Sequence, residues 1–226
     1  MSDKIRFFSL GDNALTVEFG NEISEILNER ALKLGQFIEQ NAFQGFIEIV
    51  PAYASLSIFY NTAAVKRAFP RFATAFEAVR NFAEIALRNL EENFQTNSRV
   101  IEIPVSFEPE FTVDLDFVAE HSRLKPDEVI EIFIAKTYRV FMLGFLPGFA
   151  YMGEVDARIA TPRKLTPRLE VAEGSVGIAG KQTGIYSLSS PGGWQIIGKT
   201  AKKLFTPEAE NPTFLRAGDS VKFYKI

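Results

Sequence analysis

Two arginines on proline-stiffened turns carry the most suggestive chemistry in this 226-residue chain, in Thr161-Pro-Arg163 and Thr166-Pro-Arg168. A guanidinium offers a rigid fork of donors matched to a carboxylate or phosphate, and a preceding proline limits the freedom of its backbone. Each arginine also suits an ordinary surface ion pair, so the residues alone leave both readings open. Polar side chains follow at Ser175, Gln182, Thr183 and Ser190, among apolar runs interrupted by Gly174, Gly177, Gly180 and Gly184. Glycine inside a strand lets a ligand or another backbone approach closely. Gly192 and Gly193 then lead into Trp194, the only tryptophan. Upstream, Gly144, Phe145, Pro147, Gly148, Phe149 and Tyr151 set two glycines and a proline among three rings. That run is either a structural hairpin or a sharp turn with rings around open backbone. Together these residues suit a pocket for a small amide or carboxylate compound. No nucleophile–base pair emerges, so the catalytic residues stay unassigned.

Three weaker signals are set aside. Gly193 to Thr200 has the phosphate-loop spacing, with Gly198, Lys199 and Thr200 at its end. A phosphate loop needs small residues and an immediate helix, whereas Trp194, Ile196 and Ile197 favour a strand. The neighbouring Gly174–Gly184 run has Gln182 where a magnesium-binding hydroxyl would stand. Residues 119–130 have a helix-turn-helix look, but the second helix starts with Asp127 and Glu128, the wrong charge for a DNA reader. His121 reads as a helix-end cap or as a ligand donor.

Composition narrows the classes further. The chain holds 46% apolar and 23% charged residues with a net charge of −3, which excludes a disordered chain and argues against nonspecific nucleic-acid binding. It has no cysteine and one histidine, so disulfides, thiolate sites and multi-histidine metal centres are excluded. No apolar run is long enough for a membrane span, and the first residues do not read as a signal peptide. A soluble, cytoplasmic protein is expected.

The elements that must position these residues fall into two halves. Residues 1–97 hold 4 Gly and 2 Pro, against 11 and 9 in residues 98–226, and the polar stretch Glu91–Arg99 is the natural seam. In the first half, Lys4–Leu10 and Ala14–Phe19 read as a hairpin, Ile23–Gln40 as a helix, and Gly45–Val50 with Ala54–Tyr60 as a second strand pair. A longer helix follows, with Phe69, Phe72, Phe76, Val79, Ala83 and Leu90 on one core-facing stripe. The order is ββαββα, an α+β layer. The second half opens with a strand at Val100–Phe107, then helical pieces at Asp114–His121 and Pro126–Lys136. From Tyr138 to the strand at Ser220–Tyr224, strands and tight turns predict a closed or nearly closed barrel.

The blocks from Gly144 to Tyr151, Thr161 to Arg163, Pro167 to Arg168, Gly174 to Gly180, Gln182 to Tyr186, Ser190 to Trp194 and Ile197 to Thr200 resemble the KipI / allophanate hydrolase subunit 1 family, now associated with the 5-oxoprolinase B subunit. The strong match covers roughly Val129–Thr200, and His121 extends it backward. The resemblance implies a mainly-β cyclophilin-like barrel of the carboxyltransferase C/D type over residues 98–226, after a small KipI-like α+β domain over residues 1–97. It implies one component of an ATP-dependent 5-oxoprolinase that opens 5-oxo-L-proline to L-glutamate, inactive without its KipA-like C subunit and its A subunit. ATP with Mg2+ would serve at the level of the complex, since phosphorylating an unstrained amide oxygen makes ring opening feasible. Candidate substrate-binding residues are His121, Phe145, Pro147, Gly148, Tyr151, Arg163, Arg168, Ser175, Gln182, Thr183, Ser190, Gly192, Gly193 and Trp194. No metal ligand, nucleic acid or membrane is expected. The same signature occurs in a sensor-kinase inhibitor and in the carboxyl-transfer part of urea carboxylase, which stand as alternatives. Two departures from the family pattern are Phe107-Glu-Pro109 after the first barrel strand and Glu173 before Gly174-Ser175.

Overall fold

The computed structural model describes residues 5–90 and 99–226. The chain folds as two compact units, cut between Asn97 and Ser98. Apart from Arg99, the polar seam lies outside the described residues.

The first unit is a four-stranded sheet with helices. Strands β1 (Arg6–Ser9), β2 (Ala14–Glu18), β3 (Phe46–Pro51) and β4 (Ser55–Tyr60) are antiparallel neighbours in the order β1-β2-β4-β3. Helix α1 (Glu25–Gln40) buries Leu27, Ala31, Leu34 and Ile38, whereas Ile26, part of the expected apolar spacing, is exposed and Ile23 precedes the helix. The long helix expected after β4 is two helices, α2 (Thr62–Ala68) and α3 (Ala75–Asn89). Pro70 lies in the break, where it denies the helix an N–H donor. Thr74 restarts the chain: its side chain accepts from the Glu77 N–H at 3.1 Å, and Glu77 accepts from the Thr74 N–H in return. The phenylalanine stripe packs on this core as expected, although Phe69, Phe72 and Phe76 are only partly buried.

The second unit is mixed α/β around a seven-stranded sheet. Its strands are β5 (Val100–Val105), β6 (Thr137–Leu143), β7 (Ala150–Gly153), β9 (Ser175–Ala179), β10 (Gln182–Ile185), β12 (Gln195–Lys199) and β13 (Ser220–Lys225). The order is β12-β9-β10-β7-β6-β13-β5, parallel only between β13 and β5. A separate pair joins β8 (Arg168–Val171) to β11 (Ser190–Gly192). Helices α4 (Leu115–Ser122) and α5 (Pro126–Ile134) complete the unit, α5 starting on Pro126 with Glu128 accepting from the Lys125 N–H at 2.7 Å.

The sheet curls until its two edges meet. Ser106, just past β5, exchanges backbone hydrogen bonds of 2.8 and 3.0 Å with Lys199 at the end of β12. Gly198 is what permits this approach. A Cβ there would stand 2.7 Å from Val105 Cγ1 and 3.1 Å from the Ser106 carbonyl oxygen. The residues with phosphate-loop spacing are therefore a barrel-closing strand. The Lys199 and Thr200 N–H groups go to the Ser106 and Gly174 carbonyls, and the Ile196 N–H to the Asp114 side chain. The interior holds Ile103, Val105, Phe133, Tyr138, Val140 and Phe223 among a larger buried cluster.

Candidate functional site

The site builds outward from a buried carboxylate that sequence patterning assigned only to a helix start. Asp114, 4% exposed, precedes α4. One oxygen accepts from Arg168 Nη2 at 2.6 Å and Lys164 Nζ at 3.1 Å. The other accepts from the Ile196 N–H at 2.7 Å. Burial pushes its carboxyl pKa up, and the donors of Arg168, Ile196 and Lys164 outweigh burial and hold it below the usual value. The node ties the segment bearing both arginines to β12. Two further bonds fasten it: Lys164 N–H to the Gly193 carbonyl at 2.8 Å, and Gln195 Nε2 to the Pro162 carbonyl at 2.9 Å.

The two arginines therefore differ. Arg168 is committed to Asp114, while its Nη1 is buried without a partner. Arg163 is exposed and makes no hydrogen bond or ion pair among the described residues. Its charge acts on the hydroxyls of Tyr151 and Tyr186. Burial pushes both hydroxyl pKa values up; Arg163 draws Tyr151 back, and a backbone hydrogen bond at Trp194, followed by Arg163, draws Tyr186 back.

Those tyrosines belong to an aromatic cluster centred on Phe149. Ring centroids of Tyr151, Trp194, Tyr186 and Phe145 lie 4.9, 5.4, 5.5 and 5.6 Å from it, all edge-to-face. Gly192 sits against Tyr186 so closely that a Cβ would fall 2.2 Å from its hydroxyl oxygen. The turn that delivers Phe149 runs through Gly148 at φ +76° and Phe145 at φ +67°. A phenylalanine in the left-handed region is unusual. It remains 59% exposed, so a strained backbone holds a ring at the surface.

The predicted residues separate accordingly. Phe145, Tyr151, Gly192 and Trp194 come together around Phe149 and Tyr186, Arg168 joins Asp114, Arg163 acts on the two tyrosines through its charge, and Gly148 and Pro147 shape the turn. The Pro147 carbonyl accepts from Ser187 Oγ at 2.7 Å. Gly193 anchors Lys164 through its carbonyl. Thr183 donates to the Gly177 carbonyl at 2.9 Å and Ser190 to the Pro191 carbonyl at 3.2 Å, both internal contacts. Gln182 is half-buried at the start of β10. Ser175 lies on the wall of a neighbouring cavity, which Arg168 also lines. His121 stands apart from these contacts. It occupies the exposed last turn of α4, stacked on Phe117 at 6.4 Å. Sequence reasoning missed Asp114 and Lys164, and it left Phe149 and Tyr186 as motif letters without a role.

An exposed, unpaired guanidinium whose charge reaches the Tyr151 and Tyr186 hydroxyls can hold a small carboxylate. The described residues contain no cluster of three or more metal-ligating side chains. They also give no phosphate cradle at the Gly193–Thr200 spacing, because that backbone is a strand.

Known proteins share this fold and sequence with the chain. The chain belongs to the family described as carboxyltransferase domain, subdomain C and D, whose model matches residues 5–215. It is 45% identical over 227 residues to the 5-oxoprolinase B subunit of Bacillus subtilis (strain 168), spanning 100% of this chain and 95% of that protein. The crystal structure of TTHA0988 superposes with a TM-score of 0.78 at 35% identity, over 99% of this chain and only 40% of that longer one. Urea amidolyase of Saccharomyces cerevisiae is 25% identical across 100% of this chain, which spans 13% of that protein.

Proposed function

We propose that this chain is the B subunit of an ATP-dependent 5-oxoprolinase. The full-length identity to the Bacillus subtilis protein carries the reading. In this reading residues 98–226 are a cyclophilin-like barrel of the carboxyltransferase C/D type, and residues 1–97 a KipI-like domain. The complex is cytoplasmic and completed by a KipA-like C subunit and the A subunit. No helix of the described residues is long and apolar enough to cross a membrane.

The site chemistry agrees with this substrate. 5-Oxo-L-proline carries one carboxylate and one neutral lactam. Arg163 supplies the unpaired cation for the carboxylate, and the Phe149 cluster excludes water beside it. Arg168, held by Asp114, adds fixed positive charge. ATP with Mg2+ enters at the level of the complex. The residues here do not fit a nucleotide phosphate cradle, so no chemical step is routed through nucleotide on this chain.

The test is purification of the chain alone and with its cognate C and A subunits, followed by a glutamate assay with ATP and 5-oxoproline. The chain alone yields no glutamate, and the complex yields ATP-dependent glutamate. A folded complete complex without turnover refutes the proposal. If turnover instead requires carboxybiotin, the carboxyl-transfer alternative replaces it.

A further inference from the structure

Beside β8 an open cavity of about 340 Å³ is walled by charges of both signs: Arg168 and Lys199 against Glu110 and Glu170. Phe111 and Ser175 complete its polar and aromatic lining. Among the described residues Glu110, Glu170 and Lys199 make no ion pair, although long side chains of opposite charge share one small space. Two of the charges are held in place. Arg168 is fixed by Asp114 at 2.6 Å, and the Lys199 ammonium lies 5.4 Å from the centre of the Phe111 ring.

Ser175 gives the second indication. It is 6% exposed, stands opposite Lys199 in the β9–β12 ladder, and its hydroxyl has no hydrogen-bond partner among the described residues. That hydroxyl opens onto the cavity, where a bound polar group can meet it. A hydroxyl open to a cavity with two separated cations and two carboxylates matches a ligand presenting both an anion and a cation.

We infer that this cavity binds a zwitterionic α-amino acid. Its carboxylate lies toward Lys199, Arg168 and the Ser175 hydroxyl, and its ammonium toward Glu110 and Glu170. A lactam such as 5-oxo-L-proline has a carboxylate but no basic nitrogen, so it meets only half of these groups. The cavity thus separates the amino acid formed on ring opening from the lactam that precedes it. The choice of L-glutamate as ligand rests on the proposed function. The site itself does not.

The experiment uses the purified full chain, without partner subunits or turnover, titrated with L-glutamate, glutarate and 5-oxo-L-proline by calorimetry. L-Glutamate binds saturably. Glutarate, which lacks the ammonium, and 5-oxo-L-proline bind about ten-fold more weakly or worse, the worth of one charge-assisted contact. Glu170→Gln and Lys199→Met each weaken L-glutamate binding by a similar factor, with Trp194 emission unchanged as a check of folding. No saturable L-glutamate binding, glutarate binding as tight as L-glutamate, or indifference to both substitutions overturns the inference. Because neither ATP nor the other subunits are present, such failure leaves the outcome of the glutamate-forming assay independent.

Discussion

Replacing Asp114 by asparagine keeps its shape and removes the charge that three donors share. Taking one partner from a buried ion pair costs about 3–5 kcal/mol, and each hydrogen bond to a charged group about 1.5–3 kcal/mol. The Arg168 and Lys164 side chains are 27% and 30% exposed, so water recovers part of the loss. The expected cost is about 2–3 kcal/mol near neutral pH, or about 10 °C in Tm for a unit of this size. Trp194 is the only tryptophan and is buried in the second unit, so its fluorescence follows that unit through unfolding. The pH dependence adds a sign. The folded Asp114 pKa is held below its ordinary value, so the stability it supplies is fully present above the unfolded value near about 4. That stability is lost as pH falls through the lower folded value. The gap between wild type and Asp114→Asn therefore narrows in acid. A loss under about 1 kcal/mol, or a gap as wide at about pH 2 as at about pH 7, refutes the node as described.

Other substitutions separate structure from chemistry. Arg163→Ala leaves the Trp194 transition unchanged and raises the 5-oxoproline KM of the complex by about ten-fold or more, because its guanidinium holds no internal partner. Arg168→Ala shifts that transition downward, since it breaks the Asp114 pair; equal stability in both variants contradicts the distinction. Gly148→Ala places a Cβ 2.9 Å from the Leu204 carbonyl oxygen at φ +76°, and denaturant unfolding should show a loss of about 2 kcal/mol or more. Phe145→Gly relieves a left-handed backbone but gives up ring contacts to Phe149 and Tyr186. Stability then changes by less than about 1 kcal/mol while activity of the complex falls.

Local signals read well because they arise from neighbours in sequence. The hairpin around Gly11, the body of α1 and the proline start of α5 lie where spacing placed them, although Ile26 of the α1 stripe faces outward. The single long helix failed because helical periodicity continued across Pro70, and the Thr74–Glu77 cap that restarts the chain was overlooked. The misleading phosphate-loop spacing was rejected on residue type. Its actual role, a glycine that lets the barrel edges meet, depends on Val105 and Ser106 far upstream. The site was legible as a set of blocks, with Arg163, Arg168, Tyr151 and Trp194 among them. Its centre was not. Asp114 meets Lys164, Arg168 and Ile196 across 50, 54 and 82 residues, and no local pattern reports such partners. The unequal roles of Arg163 and Arg168 follow only from that node.

Glutamate formation by the reconstituted complex tests the account most directly, with wild-type chain, Arg163→Ala and no chain compared at fixed amounts of the other two subunits. The account predicts ATP-dependent glutamate only with the wild-type chain at low 5-oxoproline, and partial recovery of Arg163→Ala at high 5-oxoproline. Equal glutamate formation without this chain, or an Arg163→Ala complex matching wild type at every 5-oxoproline concentration, would contradict it.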